Sequence, residues 1–373
     1  MTSFAYYRLP YAGSYTMMAQ DDGEPLQLAS CAELDGLSGF VLAPFVVTDD
    51  CPVLVIRPDR VEERPVPEVG QACGDGSSAD VRPSSLSMCS SGGHDDIMAS
   101  SDREAYSADF AAFHSQLMSG RFSKIVLARS ADVVTADSDD AKELFLRACR
   151  MYPRMFVVLV STPQSGTWLA ATPEILLEGG NGQWRTIALA GTMQLDAGQM
   201  AFDNPPSEKA AVDDSGILWS TKNIKEQRYV ATYIAEQLKC FASGCLEEGP
   251  RTVRAGNVVH LRSDFTFALD DAAHIGHLLD ALHPTPAVCG LPKDSTCRCI
   301  VAEEHTDRRY YSGFMGPLCH NGMTHLYVTL RCMQIIDKHH YRLYAGGGLL
   351  KDSVEDMEWH ETEAKMETML RLL

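Results

Sequence analysis

The chain has 373 residues, with 32 Lys and Arg against 50 Asp and Glu, a formal net charge of −18 at pH 7. That balance argues against a nucleic-acid partner, which needs a basic face, but leaves room for a small anion held by a few local cations. Apolar residues make up 45% and charged residues 22%, so the chain can bury a core and global disorder is excluded.

The start, MTSFAYYRLPYAG, has no basic n-region and no apolar h-region, and nowhere is there an apolar run of about 18 residues. A cytoplasmic protein with no signal peptide and no membrane partner is therefore expected. Twelve cysteines without a signal segment or a C-x-x-C spacing read as reduced, mostly buried thiols. Cys297 and Cys299 are separated by one residue and carry only a weak zinc signal.

Residues 1–57 read as folded, with YRLPY, FVLAPF and PVLVIRP as short strands between turns. Residues 58–107, rich in Ser, Gly, Pro and Asp, read as a flexible linker or insertion. Then follow a helix over 105–118, a strand Lys124–Val134 and an amphipathic helix over 139–151. FVVLVST and TWLAATPEILLEG read as two strands joined at Gly166, and WRTIALAGTMQ as a third. A polar loop over 195–208 leads into a long helix of about 208–243, with Val230, Tyr233, Ile234, Gln237 and Phe241 near one face. NVVHLRSDFTFAL is a strand, 271–282 a short helix, HPTPAVCGLP a rigid loop and 294–306 a helix. YYSGFMGPL, THLYVTLRCMQII and YRLYAGGGLL are three strands, and 355–372 is the terminal helix. Paired strands with helices between groups predict an α+β fold of mixed or antiparallel sheets covered by helices. There is no dinucleotide fingerprint and no P-loop.

In EDMEWHETEAKM, Glu358, Glu361 and Lys365 share one helix face. That is either a solvated face or a carboxylate pair for a hard cation beside a Lys for an anion. Glu226 lies among Lys222, Lys225 and Arg228 and reads as exposed helix; joined to a carboxylate of the terminal helix, it would suit Mg²⁺. Lys124 opens an apolar strand, as a solvated end or as a desolvated base. Glu174 enters the apolar run ILL, as a turn carboxylate or as an acid with a raised pKa. Arg331 sits in an apolar strand and needs a carboxylate partner, and His260 suits a satisfied core position. The glycines before the last helix would let a ligand approach the backbone.

Together these stretches resemble the chorismate-utilising enzymes, and among them the isochorismate synthases of the menaquinone or siderophore type. FSKIVLARS, LAATPEILLEG, IALAGTM, KNIKEQ, VVHLRSDF, LHPTPAVCGLP, RRYYSGFMG, LYVTLRCMQI and YAGGGLLKDSVEDMEWHETEAKM run in the family's order from about 120 to 366. The resemblance implies an α/β-type layered sandwich, with two large, mostly antiparallel sheets packed together and helices outside. It implies a catalytic region over 108–373 and a divergent N-terminal part over 1–57. The implied reaction is Mg²⁺-dependent and reversible: water adds at C2 of chorismate and the C4 hydroxyl leaves. By the resemblance, Lys124 is the base and Glu174 the acid. Glu226 and Glu361 are the principal metal carboxylates, and Glu358 holds metal-bound water. Arg331, Lys365 and the backbone at Gly346 and Gly347 hold substrate carboxylates. Tyr311, Val288, Ala190 and Thr192 line the pocket, and His260 lies near the ring.

Two positions depart from the family pattern: Asn223, where an acidic residue is usual, and Gln227, where a His is usual. A menaquinone role and a monomer are expected. The alternatives are a salicylate synthase, an anthranilate or aminodeoxychorismate synthase large subunit, and a non-catalytic chorismate-binding protein.

Overall fold

The computed structural model describes residues 2–67, 97–100, 103–136, 138–194, 218–255, 258–269 and 274–373. The chain begins with β1 (Ser3–Arg8), β2 (Ser14–Gln20), β3 (Leu26–Leu28), β4 (Gly39–Ala43), β5 (Val53–Ile56) and β6 (Arg60–Pro65). Next come β7 (Ile97–Ser100), α1 (Arg103–Met118), β8 (Lys124–Thr135), α2 (Ala141–Met151), β9 (Phe156–Thr162), β10 (Gly166–Thr172), β11 (Ile175–Gly180) and β12 (Gln183–Gln194). They are followed by α3 (Thr221–Leu238), β13 (Ala242–Ala255), β14 (Val258–Leu269), α4 (Ile275–Leu282), β15 (Gly290–Leu291) and α5 (Lys293–Glu303). The chain closes with β16 (Phe314–Leu318), β17 (Met323–Val328), β18 (Cys332–Ile335), β19 (His340–Leu349) and α6 (Glu355–Leu370).

Among the described residues the strands form two sheets. One has ten strands, in the order β15-β8-β19-β18-β10-β9-β1-β2-β6, with β7 also on β8; the other has nine, in the order β13-β14-β12-β11-β17-β16-β4-β5-β3. Every pairing between these strands is antiparallel, which narrows the expectation of mixed or antiparallel sheets. The sheets face each other across Tyr7, Phe40, Phe156, Trp168, Tyr310 and Tyr327, with the Phe156 and Tyr327 rings stacked 4.4 Å apart. Helices cover the outer faces: α3 and α4 on the nine-stranded sheet, α2 and α6 on the ten-stranded one. The two-layer sandwich expected from the sequence is the observed architecture.

Trp168 is completely buried between the sheets, and its indole N–H is satisfied by the Ser165 carbonyl at 3.0 Å. Trp168→Ala is expected to cost about 3–5 kcal/mol, because a rigid inter-sheet core refills such a hole poorly. Denaturant unfolding checks this; a loss under about 1 kcal/mol would mean that the layer is not close-packed there.

Three elements differ from the sequence reading. First, β6 lies inside the stretch read as a linker, paired with β2, and β7 lies there too, paired with β8. β6 is an edge strand, RVEERP, exposed along most of its length, so its sequence carries no apolar alternation to reveal it. Residues 68–96 and 101–102 of that stretch lie outside the described residues, and its last residues open α1. Second, the long helix is α3, which starts at Thr221, where the Ser220 hydroxyl accepts from the Asn223 N–H at 3.2 Å, and stops at Leu238. The first part of the expected helix, through 217, and the loop over 195–208 lie outside the described residues. The polar run after the helix is the strand β13, paired with β14.

Third, two stretches read as single strands each break and change sheets. TWLAATPEILLEG splits at Pro173-Glu174 into β10, in the ten-stranded sheet, and β11, in the nine-stranded one. THLYVTLRCMQII splits at Thr329–Arg331 into β17 and β18, again one strand in each sheet. Apolar residues run through both breaks because a strand inside a two-sheet sandwich is buried on either side of a crossing. The turn signals are slight: one Pro in the first, and in the second Arg331 at φ +46°.

Candidate active site

The two crossings lie side by side. The Ala171 N–H donates to the Arg331 carbonyl at 3.0 Å, and the Val328 N–H donates to the Glu174 carbonyl at 2.9 Å. This doubled crossing brings Glu174 and Arg331 into one cleft. Both residues are almost fully buried. Burial pushes the Glu174 carboxyl up to about 8, against the opposing pull of Lys124, Lys365 and Arg331, so it keeps its proton at neutral pH.

Burial also lowers the Arg331 guanidinium, to about 10, which leaves it charged at neutral pH. One of its terminal nitrogens donates to His260 Nε2 at 2.8 Å, while the other, Nη1, has no hydrogen-bond partner. His260 is buried and held well below its ordinary value, by burial first and then by Arg331 and Lys365. The neutral ring, with Nδ1 toward the Gly191 carbonyl at 3.1 Å, must donate there and accept at Nε2. Both ring nitrogens are thus engaged by the protein. His260 lines the cleft and aims Arg331, whose free N–H groups suit a carboxylate.

The glycine run lies inside β19, not at its end, and its backbone is ordinary extended strand. What these glycines supply is space. A Cβ on Gly348 would fall 2.0 Å from Glu226 Oε1 and 2.8 Å from Lys124 Cε; one on Gly346 would fall 2.9 Å from the Tyr311 hydroxyl. A Cβ on Gly347 would touch Glu358 Oε2 at 3.4 Å and Glu361 Oε1 at 3.6 Å. The missing side chains let two acidic helices, α3 and α6, bring their carboxylates onto the strand. In part, then, the space is filled by the chain's own carboxylates and lysine.

Each carboxylate there is matched by a lysine. Lys124 Nζ lies 3.1 Å from Glu226 Oε1, and Lys365 Nζ lies 2.7 Å from Glu361 Oε1 and 2.8 Å from the Gly346 carbonyl. Lys222 pairs with Glu358. Burial works against the Lys222 ammonium, but Glu358, Glu226 and Glu361 outweigh it and hold its pKa up. Glu358 is pushed up by burial and by Glu361, against Lys222. Glu361 is held down by Lys365 and Lys222 despite its burial.

The structure brings the sequence-predicted residues together. Glu174, Ala190, Thr192, Glu226, His260, Val288, Tyr311, Arg331, Gly346 and Lys365 line the cleft. Lys124, Gly347, Glu358 and Glu361 stand directly behind that lining, through the contacts just described. Lys124 is fully buried, so it is not a solvated strand end, and its Nζ makes no hydrogen bond beyond the ion pair. Among the described residues no group of three or more His, Cys, Asp or Glu side chains is arranged to hold a metal ion. The donors are nonetheless of the type a hard cation takes, and buried Glu358 Oε2 has no hydrogen-bond partner. As oxygen donors these carboxylates suit Mg²⁺ by type, although each faces a lysine in this structure.

A family model of chorismate binding enzymes matches residues 84–373. The chain belongs to this family. The isochorismate synthase DhbC of Bacillus subtilis is 31% identical over 269 residues, 69% of this chain and 65% of that protein. EntC of Escherichia coli, an isochorismate synthase, is 28% identical over 67% of this chain and 62% of its own length. The chain therefore spans less than two thirds of these relatives. Among solved structures, DhbC from Bacillus anthracis superposes with a TM-score of 0.77 at 22% identity, covering 99% of this chain and 96% of that one. The menaquinone-specific isochorismate synthase MenF of Escherichia coli gives 0.73 at 21%, covering 100% and 89%. At those identities the likeness shows the shared fold.

Within this chorismate binding enzyme, Lys222, read from the sequence as exposed helix, instead pairs with Glu358 beside the cleft. Its signal was the spacing, because Lys222 and Glu226 are four apart and share a face of α3. Gly348 and Gly191, which also line the cleft, were not among the sequence-predicted residues either. Of the two departures, Gln227 is fully buried and donates to the Ser263 hydroxyl at 2.8 Å, tying α3 to β14. Asn223 reaches the Thr192 carbonyl at 3.4 Å.

Proposed function

We propose that this protein is an isochorismate synthase, converting chorismate to isochorismate reversibly with Mg²⁺. The observation that carries this reading is one cleft that holds Glu174, its carboxyl raised to about 8, and an unpaired Arg331 N–H, with the buried Lys124 directly behind its lining. The reaction needs a base for the incoming water, an acid for the departing hydroxyl and cations for two carboxylates. The names of the Bacillus subtilis and Escherichia coli relatives support the same reaction.

In this reading Arg331, oriented by His260, and Lys365 hold the substrate carboxylates. Lys124, acting as the uncharged amine, takes a proton from water as its oxygen bonds to C2. The ring double bond shifts, the C4–O bond breaks, and Glu174 gives its proton to the leaving hydroxyl. Glu226, Glu361 and Glu358 would hold Mg²⁺, which would supply positive charge to offset the anionic substrate.

The deciding assay incubates the protein with chorismate, with and without Mg²⁺ and ammonium, and resolves the products by NMR. Isochorismate in equilibrium with chorismate, dependent on Mg²⁺ and indifferent to ammonium, supports the proposal. Anthranilate, aminodeoxychorismate, or salicylate with pyruvate would each replace it. Menaquinone synthesis is the proposed role; rescue of a menaquinone-deficient strain, rather than of a siderophore-deficient one, is the expected result.

Glu361→Gln removes one charge from the metal carboxylates. It is expected to raise the half-saturating Mg²⁺ concentration by at least about 10–100-fold, the loss typical of weaker perturbations around metal sites. Calorimetric titration of the metal, beside a thermal melt, measures this directly. An unchanged Mg²⁺ affinity would remove Glu361 from the ligand set.

A further inference from the structure

One edge of β8 is paired with β19 along most of its length; the other carries β15 at Lys124 and Ile125 and β7 at residues 132–135. Among the described residues no strand pairs with that second edge in between, and two buried side chains fill the gap. The Val126 N–H donates to the Cys289 carbonyl at 2.7 Å, and there the backbone ladder stops. The Val126 carbonyl then accepts from Arg308 Nη2 at 2.8 Å, and the Ala128 N–H donates to Glu304 Oε1 at 2.7 Å. Arg308 Nη1 donates to the Val288 carbonyl at 2.8 Å. The same guanidinium is bidentate on Glu304, at 2.6 and 2.7 Å, and lies 4.3 Å from the centre of the Phe45 ring. Both side chains are at most 3% exposed.

The groups held in this way belong to the cleft. Val126 and Val288 line it, and so does Tyr311, whose N–H donates to the Arg308 carbonyl at 2.8 Å. Val126 is the partner of Gly348 on β19 and stands two residues after Lys124. Only a planar fork of donors can reach the Val126 carbonyl, the Val288 carbonyl and both oxygens of one carboxylate at once, which is the geometry of arginine and not of lysine. Neither Glu304 nor Arg308 lines the cleft itself.

We infer that Glu304 and Arg308 are positioning residues for the proposed reaction, standing in for a strand on the edge of β8. They let the backbone leave that edge after Cys289, so that Val288 turns to the cleft, and they fix Val126, Val288 and Tyr311 as one wall. The pair acts through those three residues and through the start of β8, which carries Lys124. The inference rests on the reading of the cleft as a site of chorismate turnover.

The test compares Arg308→Lys and Glu304→Gln with the unaltered protein, following chorismate consumption and identifying the product. Arg308→Lys keeps the charge opposite Glu304 and loses the fork. Its kcat is expected to fall about 100-fold, the cost of a small misplacement within a site. KM should change little, so that kcat and kcat/KM fall together. Mg²⁺ affinity by calorimetry should be kept. Glu304→Gln keeps an acceptor for the Ala128 N–H and leaves Arg308 both carbonyls, so its kcat should fall by a smaller factor. A purely structural pair would lower the melting temperature and leave kcat per folded molecule untouched; a parental kcat in either folded variant, or a larger fall in Glu304→Gln than in Arg308→Lys, would overturn the inference. A product other than isochorismate from the unaltered protein would overturn the proposed function alone, because consumption of chorismate is read whatever its product. No consumption at all would overturn both.

Discussion

Lys124→Ala is expected to lower kcat for chorismate by about 10²–10⁴-fold while metal binding is kept. Lys124 is fully buried at the start of β8, and among the described residues Glu226 is its single ionic contact and its Nζ makes no hydrogen bond. It stands directly behind the cleft lining and acts electrostatically on Glu174. Its removal leaves Glu226 buried without its counter-charge, which by itself can cost about 3–5 kcal/mol of stability. Rate and stability must therefore be read separately. Single-turnover kinetics gives the first, and thermal unfolding with and without Mg²⁺ gives the second. If Mg²⁺ takes over the charge of Glu226, the metal should restore the variant's melting temperature and leave its rate low. A variant that turns over at the parental rate would take the role of base away from Lys124.

Glu174→Gln is expected to cost a comparable factor in kcat, about 10²–10⁴-fold, and to change the pH profile. The Glu174 carboxyl, raised by burial to about 8, donates a proton only below that pH. The parental rate should therefore fall as pH rises through about 8, and that alkaline limb should be absent from the residual activity of the variant. Stability follows the same sign. Between the ordinary value of 4.5 and about 8 the folded chain holds a proton that the unfolded chain has released, so stability drops as pH rises across that window. Above the window the drop is complete, and below it there is none. Glu174→Gln should flatten this dependence, which denaturant unfolding at several pH values can measure without any substrate.

Much of the scaffold could be read from local patterns. α1, α2 and α6 lie where apolar and acidic spacing placed them, to within a few residues, as do β8, β14 and β19. These elements pack one face against a sheet or sit centrally in one, and side-chain periodicity reports such burial directly. The edge strand β6 has no apolar face, and β13 is a mostly exposed polar strand, so neither had such a signal.

The residue types of the site were legible as well: a lysine opening an apolar strand, a glutamate entering one, three acidic positions on two helices and an arginine within a strand. Their meeting was not. Lys124, Glu174, Glu226, Arg331 and Glu361 stand on five separate elements or crossings. The sequence by itself determined the chemical inventory and the family order, because those depend on residue identity and spacing along the chain. Only the tertiary structure decided that two apparent strands break and cross between sheets at Glu174 and Arg331. It also decided that the Gly346–Gly348 run is bare in order to admit carboxylates, and that each carboxylate meets a lysine. Those features arise from antiparallel pairing and helix docking between segments far apart in the chain, and local periodicity carries no information about such contacts.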